Sequence, residues 1–200
     1  MIGAALSTLS APAMLAVATL LLVSGPSLLM PTAALASSAK TKPHSCAYAN
    51  LRPSSADTAI VDAATLCLID RLRSASHLRP LRPNHELQAV AGSQATGMVS
   101  HDYFGDDSPS GQTAGTLIAA IPYGAHATSL STAQNLGWGT LSAATPAGMV
   151  TAWMHSPPHR EVILTGEFRD AGVGVSPAVP SILGNGEPGA TYAVEFAVRD

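Results

Sequence analysis

The sequence predicts an α+β domain with its helices first and its strands last. Two observations carry this. Apolar residues recur at intervals of three and four through Val61, Ala64, Leu68 and Leu72 and again through Leu87, Val90, Ala91 and Met98, the period of a half-buried helix. After Phe168 the period changes to two: Ala171, Val173 and Val175 alternate with glycine, and Tyr192, Val194, Phe196 and Val198 alternate with Ala193, Glu195 and Ala197, the period of strands. Runs of helices followed by runs of strands give α+β rather than a parallel βαβ sheet.

Taken in order, the first 39 residues contain no Asp, Glu, Lys or Arg. An apolar run from Ala13 to Val23, a break at Gly25-Pro26 and the small-residue context Ala34-Leu35-Ala36 outline a signal peptide over residues 1–36. The outline predicts cleavage after Ala36; because no Lys or Arg precedes the apolar run, the alternatives are a displaced start or retention of the segment as a membrane anchor. Residues 37–56 are small, polar and proline-punctuated, and read as an extended lead-in to a domain spanning 57–200. The two cysteines, Cys46 and Cys67, fit an oxidising compartment and pair across the lead-in and the first helix.

The first helix runs from Asp57 to about Ala75. Arg79-Pro80-Leu81-Arg82-Pro83 interrupts it, because each proline pushes its predecessor out of the helical region. Asn84 then caps a second helix. Asp106-Asp107-Ser108-Pro109-Ser110-Gly111 has the chemistry of a turn, with a short third helix behind it through Thr113, Leu117, Ile118 and Ile121. Thr145-Pro146 supplies an N-cap and first-turn pair for a fourth helix, with Met149, Val150, Trp153 and Met154 inward, and Pro157-Pro158 ends it. Gly184-Asn185-Gly186 provides the positive-φ residues for a reversal between two antiparallel strands. Trp138 and Trp153 are expected to pack the core.

Composition narrows the function. Charged residues make up 12% of the chain and aromatic ones 4%, with a net charge of -3, so nothing supplies the basic, aromatic-rich field that holds nucleic acid. Serine-hydrolase chemistry on a nucleophile elbow needs a Gly-x-Ser-x-Gly string, which is absent. A paired cysteine is no nucleophile, and Gly172-Val173-Gly174 opens no helix and lacks the third glycine of a dinucleotide fingerprint.

Several strings, in their order and spacing, resemble the CAP (cysteine-rich secretory and pathogenesis-related, SCP-like) superfamily, and in particular its bacterial secreted members. They are Cys67 to Arg73; Leu81-Arg82-Pro83-Asn84; Tyr103-Phe104; Ser108-Pro109-Ser110-Gly111; Gln134-Asn135-Leu136-Gly137-Trp138-Gly139; Ala152 to Arg160; Gly172-Val173-Gly174-Val175; and Thr191 to Val198. The resemblance implies an α-β-α sandwich with a small antiparallel sheet flanked by helices, a cleft between helices and sheet, and a secreted or envelope-associated location.

It also implies a cleft carrying histidines and glutamates able to hold zinc. Here the first histidine position is Asp106, the Glu-Asn-Leu glutamate is Gln134, the second glutamate position falls near Ser156, and His159 alone survives. Pro158 stands where a glycine is usual. Of the residues that could still bind a metal, His159, Asp106 and His101 are the candidates, and at most weak zinc binding is expected because tight sites use three or four convergent N, S or carboxylate donors. Asp106 and Asp107 read more simply as turn formers. Gln134 cannot ionise, but its amide can hydrogen-bond across the cleft. His155 and His159 are four apart, yet the prolines between them exclude a shared helical face and no glutamate intervenes as in His-Glu-x-x-His enzymes.

The expected function is therefore a non-enzymatic cleft-binding module for an envelope component, a lipid or a protein partner. The alternatives are a hydrolase acting on peptide or cell-wall bonds, with His159 as base and Asp106 or a bound metal assisting, and an envelope scaffold without cleft function.

Overall fold

The computed structural model describes residues 45–184 and 186–200; the expected signal peptide and the first part of the lead-in, 37–44, lie outside them. The described part of the lead-in is not simply extended. Ala47–Asn50 forms a turn with Tyr48 at φ 60°, and the Ala49 carbonyl accepts from the Ala147 amide. Cys46 and Cys67 are joined by a disulfide, which fastens this segment to the first helix.

Helix α1 spans Thr58–Ala75. A two-residue strand β1, Arg82–Pro83, leads into α2, His85–Ser100, where the Asn84 side chain accepts from the Glu86 and Leu87 amides at 2.9 and 3.0 Å. Helix α3, Ala114–Ala120, starts with a capping box made by Thr113 and Thr116, and a single turn α4, Pro122–Ala125, follows. Strand β2, Leu130–Thr140, leads to α5, Pro146–His155, capped by Thr145. The prolines expected to end α5 also open α6, Pro157–Ile163; proline's fixed φ suits a first helical turn, where its missing N–H is no loss. Strands β3, Asp170–Ser176, and β4, Gly189–Arg199, close the domain.

The sheet order is β1-β3-β4-β2. The expected antiparallel pair is β3–β4, and β2 adds to the other edge of β4 with Gln134 opposite Glu195 and Leu136 opposite Ala193. Only the short β1–β3 contact is parallel.

The two faces of the sheet are packed differently. On one, Val173, Val175, Tyr192, Val194 and Phe196 meet α1, α5 and α6 through Val61, Ile69, Val150, Trp153 and Ile163. Arg73, wholly buried, crosses this layer and donates to the carbonyls of Arg79, Ile163, Thr165 and Phe168 at 2.8–3.3 Å. On the other face α2 lies against glycines: a Cβ on Gly172 would run into the Gln88 nitrogen, and one on Gly174 into that of Gly92. Only a residue without a side chain lets the helix backbone come this close. Ala91, Ala95 and Met98 there meet Leu136 and Ala193, while Leu87 and Val90 meet Ala197 and Ile118. The result is three layers, α-β-α. Among the described residues no helix is long and apolar enough to cross a membrane.

Candidate functional site

The site lies on the α2 face of the sheet. Side chains alternate across a strand, so Gln134, Leu136 and Trp138 leave β2 on this side, and the cross-strand partners Glu195, Ala193 and Thr191 leave β4 on the same side. Gln134 is half-buried and donates from Nε2 to Asp106 Oδ1 at 2.9 Å, binding the 101–113 loop to the strand. Asp106 therefore does not act as the turn former expected of it. That task falls to Ser108, whose hydroxyl accepts from the Gln112 amide at 3.0 Å, while Asp107 bridges Thr113.

Glu195, which the sequence reading treated only as an alternate strand position, is the unexpected member. It is 1% exposed. Burial, and secondarily the Asp106 carboxylate, push its carboxyl up to about 8, so at neutral pH it holds its proton. The Oε1 atoms of Glu195, Gln134 and Gln94 are buried without a hydrogen-bond partner. A groove of about 280 Å³ is lined by Gln94, Tyr103, Ser108, Gln112 and Ala114 among others. Burial raises the Tyr103 phenol as well.

The remaining expected residues sit elsewhere. Ser156 and His159 lie at the α5–α6 junction, where Ser156 precedes α6 without capping it through its side chain. The His159 carbonyl accepts from Asn135 Nδ2 at 3.0 Å, and Asn135 leaves β2 on the face opposite Gln134. Among the described residues no hydrogen bond joins the His159 ring to Asp106, Gln134 or Glu195. His155 ends α5, its ring turned back to the Thr151 carbonyl at 2.8 Å. His101 caps α2, with Nδ1 3.1 Å from the Gly97 carbonyl, on the rim of the groove. Trp153 is buried and donates to the Leu136 carbonyl, whereas Trp138 is 39% exposed and does not pack the core as expected; it stands on β2, an edge strand of the sheet.

The model of the Cysteine-rich secretory protein family, CAP, matches residues 66–179, more than half of the chain. The chain belongs to the CAP family. Its CAP domain is similar in structure to an extracellular protein containing an SCP domain from Bacillus anthracis (21% identity, TM-score 0.55, covering 72% of this chain and 44% of that one). It is also similar to an outer surface protein from Borrelia burgdorferi (20%, 0.54, 68% and 90%) and to a cysteine-rich secretory protein from Staphylococcus aureus (20%, 0.53, 72% and 40%). The chain spans less than half the length of the first and third of these, and at such identities the likeness is one of fold. No curated protein sequence matches it.

Zinc, which the CAP resemblance raises, does not fit the residues gathered here. Asp106, Gln134 and Glu195 offer oxygen only, one of them from an amide and one from a carboxyl that is neutral at pH 7. The Gln134 N–H already points at Asp106. Zinc sites are built from imidazole and thiolate with carboxylate as a supplement, and among the described residues no three of His, Cys, Asp and Glu are grouped to hold an ion.

Proposed function

We propose that this CAP protein is exported and acts outside the cell, or on its envelope, as a non-enzymatic module whose cleft binds a component of that envelope. The observation that carries the reading is the Asp106–Gln134–Glu195 cluster. It offers carbonyl and carboxylate acceptors, one amide donor engaged with Asp106 and the proton that Glu195 keeps at neutral pH, a constellation suited to holding a polar group. His159, the residue assigned as base in the hydrolase alternative, is tied in through its main chain rather than aimed at the cluster by a ring hydrogen bond. The proteins that share the fold include one described as extracellular and one described as an outer surface protein, which supports the location.

Co-sedimentation with purified cell wall and with lipid vesicles tests the binding, and a parallel screen against peptide and cell-wall substrates tests the alternative. Retention without turnover is expected, with retention lost when Gln134 is replaced by Leu. Turnover abolished by His159→Ala would replace this reading with the hydrolase.

A further inference from the structure

The loop between α2 and α3 is braced from several sides. Asp102, at φ 54°, accepts from the Ser181 hydroxyl at 2.7 Å and from the Ile182 amide at 3.0 Å. The Tyr103 amide donates to the Met98 carbonyl, Asp106 accepts from Gln134, and Asp107 is bridged to Thr113. Braced in this way, the loop forms one wall of the groove of about 280 Å³ whose other walls are α2 and α3, and none of its aspartates lines that groove. A loop held by its neighbours presents its side chains with little left to order on binding.

The lining contains no Asp, Glu, Lys or Arg, yet it is rich in polar groups. Ser93 and Gln94 come from α2, and Tyr103, Ser108, Ser110 and Gln112 from the loop, while Leu117 of α3 adds an apolar side. The Ser108 and Ser110 hydroxyls are 2.9 Å apart, and Ser108 also accepts from the Gln112 amide. By contrast, the hydroxyls of Ser93 and Tyr103 and the side-chain amide of Gln112 make no hydrogen bond among the described residues. The Tyr103 hydroxyl stands over Gly97, 3.6 Å from where a Cβ would be, and burial raises the phenol. The groove therefore has both donors and acceptors to give, and no formal charge from a carboxylate, ammonium or guanidinium.

That chemistry selects among the classes of ligand an envelope offers. A phosphate or carboxylate finds no Lys or Arg here, and an ammonium finds no carboxylate. An acyl chain would leave the hydroxyls and amides of the lining unpaired, which is unfavourable for each of them. Hydroxyls both donate and accept, so a ring carrying several of them complements this wall. Resting on the reading that the cleft binds an envelope component, we propose that this groove takes one uncharged sugar ring of an envelope glycan. Its volume lies just under the range of about 300–1,000 Å³ usual for drug-sized ligands, which suits a single ring of a longer polymer. Gln134 acts as a positioning residue, holding the loop wall through Asp106.

Two sources of such a ring exist, N-acetylated wall strands and neutral hexose polymers, and chitotriose and maltotriose stand for them. The full exported chain is titrated with each, following the Gln94 and Gln112 side-chain amides by NMR. One of the two is expected to bind with a Kd on the order of 1 mM, the scale of a few hydrogen bonds made in competition with water, and which one binds names the source. Tyr103→Phe removes only the hydroxyl and is expected to weaken binding roughly 3- to 10-fold. Ser93→Trp, a change at an exposed position, is expected to block the groove and abolish binding while the thermal midpoint stays near that of wild type. Raising the salt concentration should leave the affinity unchanged, as for any uncharged ligand. No binding of either trisaccharide at millimolar concentration, or binding that folded Tyr103→Phe and Ser93→Trp variants leave intact, overturns the proposal. Retention on cell wall or lipid vesicles that persists in Ser93→Trp also overturns it, while leaving envelope binding by another surface in place. Groove-dependent trisaccharide binding with no retention on any envelope material keeps the sugar site and removes the envelope reading instead.

Discussion

Glu195→Gln has a consequence for stability that can be worked out in sign and size. The carboxyl rises from 4.5 in the unfolded chain to about 8 in the fold, chiefly because burial disfavours the charged form. Between those values the folded state holds a proton that the unfolded state has released, so stability falls as pH rises, by about 1.4 kcal/mol per pH unit. The contribution is fully present below pH 4.5, is withdrawn through the window, and levels off above about 8 after a loss on the order of 4–5 kcal/mol, less whatever relaxation around the charged form recovers. Glutamine imitates the neutral carboxyl and does not titrate. Wild type and Glu195→Gln should therefore be nearly equal at pH 5, while at pH 8.5 the variant should be the more stable by several kcal/mol. Asp62, raised to about 7, and Asp70, also raised, both by burial, add slopes of the same sign, but they are common to both proteins and cancel in the difference. Urea unfolding at half-unit pH steps measures it. A wild-type minus variant difference that stays flat from pH 5 to 8.5, or that favours wild type as pH rises, would show that Glu195 is ionised in the fold and that its burial is not as described.

Other outcomes follow from single features. Cys46→Ser or Cys67→Ser should lower stability by roughly 3 kcal/mol, the order for opening a loop of this length, read as a shift in urea midpoint under oxidising conditions. Arg73→Met leaves four carbonyls around residues 79 and 163–168 without their donor and should cost about 3 kcal/mol or more, seen as a large drop in thermal midpoint. Calorimetry with zinc at neutral pH should give weak or no binding to wild type and much tighter binding to the Asp106→His, Gln134→Glu double variant; tight binding by wild type that His159→Ala abolishes would show that the donors had been assigned wrongly. Mature protein recovered from culture fluid should begin at Ser37 by intact mass, and full-length chain found only in membranes would favour the anchor.

The helices and the last two strands were legible because local signals and tertiary packing agree there. Asn84 and Thr145 cap α2 and α5 through the side chains that the sequence offers for it, and Val173, Val175, Val194 and Phe196 alternate because one face of the sheet is an apolar interface with α1, α5 and α6. Strand β2 was not legible as a strand. Its stretch Gln134 to Gly139 mixes amides and glycines, poor strand formers, and takes its extended form from eleven register pairs with β4 rather than from its own preference. Helix α6 was hidden for a different reason: two prolines announce the end of one helix and the start of the next with the same chemistry.

Half of the site was visible, and the missed half shows what a lone polar residue in a strand can signal. Asp106 and Gln134 were chosen by position and do meet, and the amide does reach across the cleft. Glu195 was passed over because polar residues on alternate strand positions ordinarily face water. Its neighbours on that face are Ala193 and Ala197, however, and the partner strand opposite carries Gly172 and Gly174. A strand face of alanines and glycines has no bulk with which to meet solvent; it is shaped for a helix backbone to lie on, as α2 does. A carboxylate in the middle of such a face must be buried, and a buried carboxyl persists against several kcal/mol of desolvation only as a neutral acid or with a partner. Glu195 takes the first course: closed in between Ala193 and Ala197, its carboxyl is pushed up to about 8 and stays neutral at pH 7.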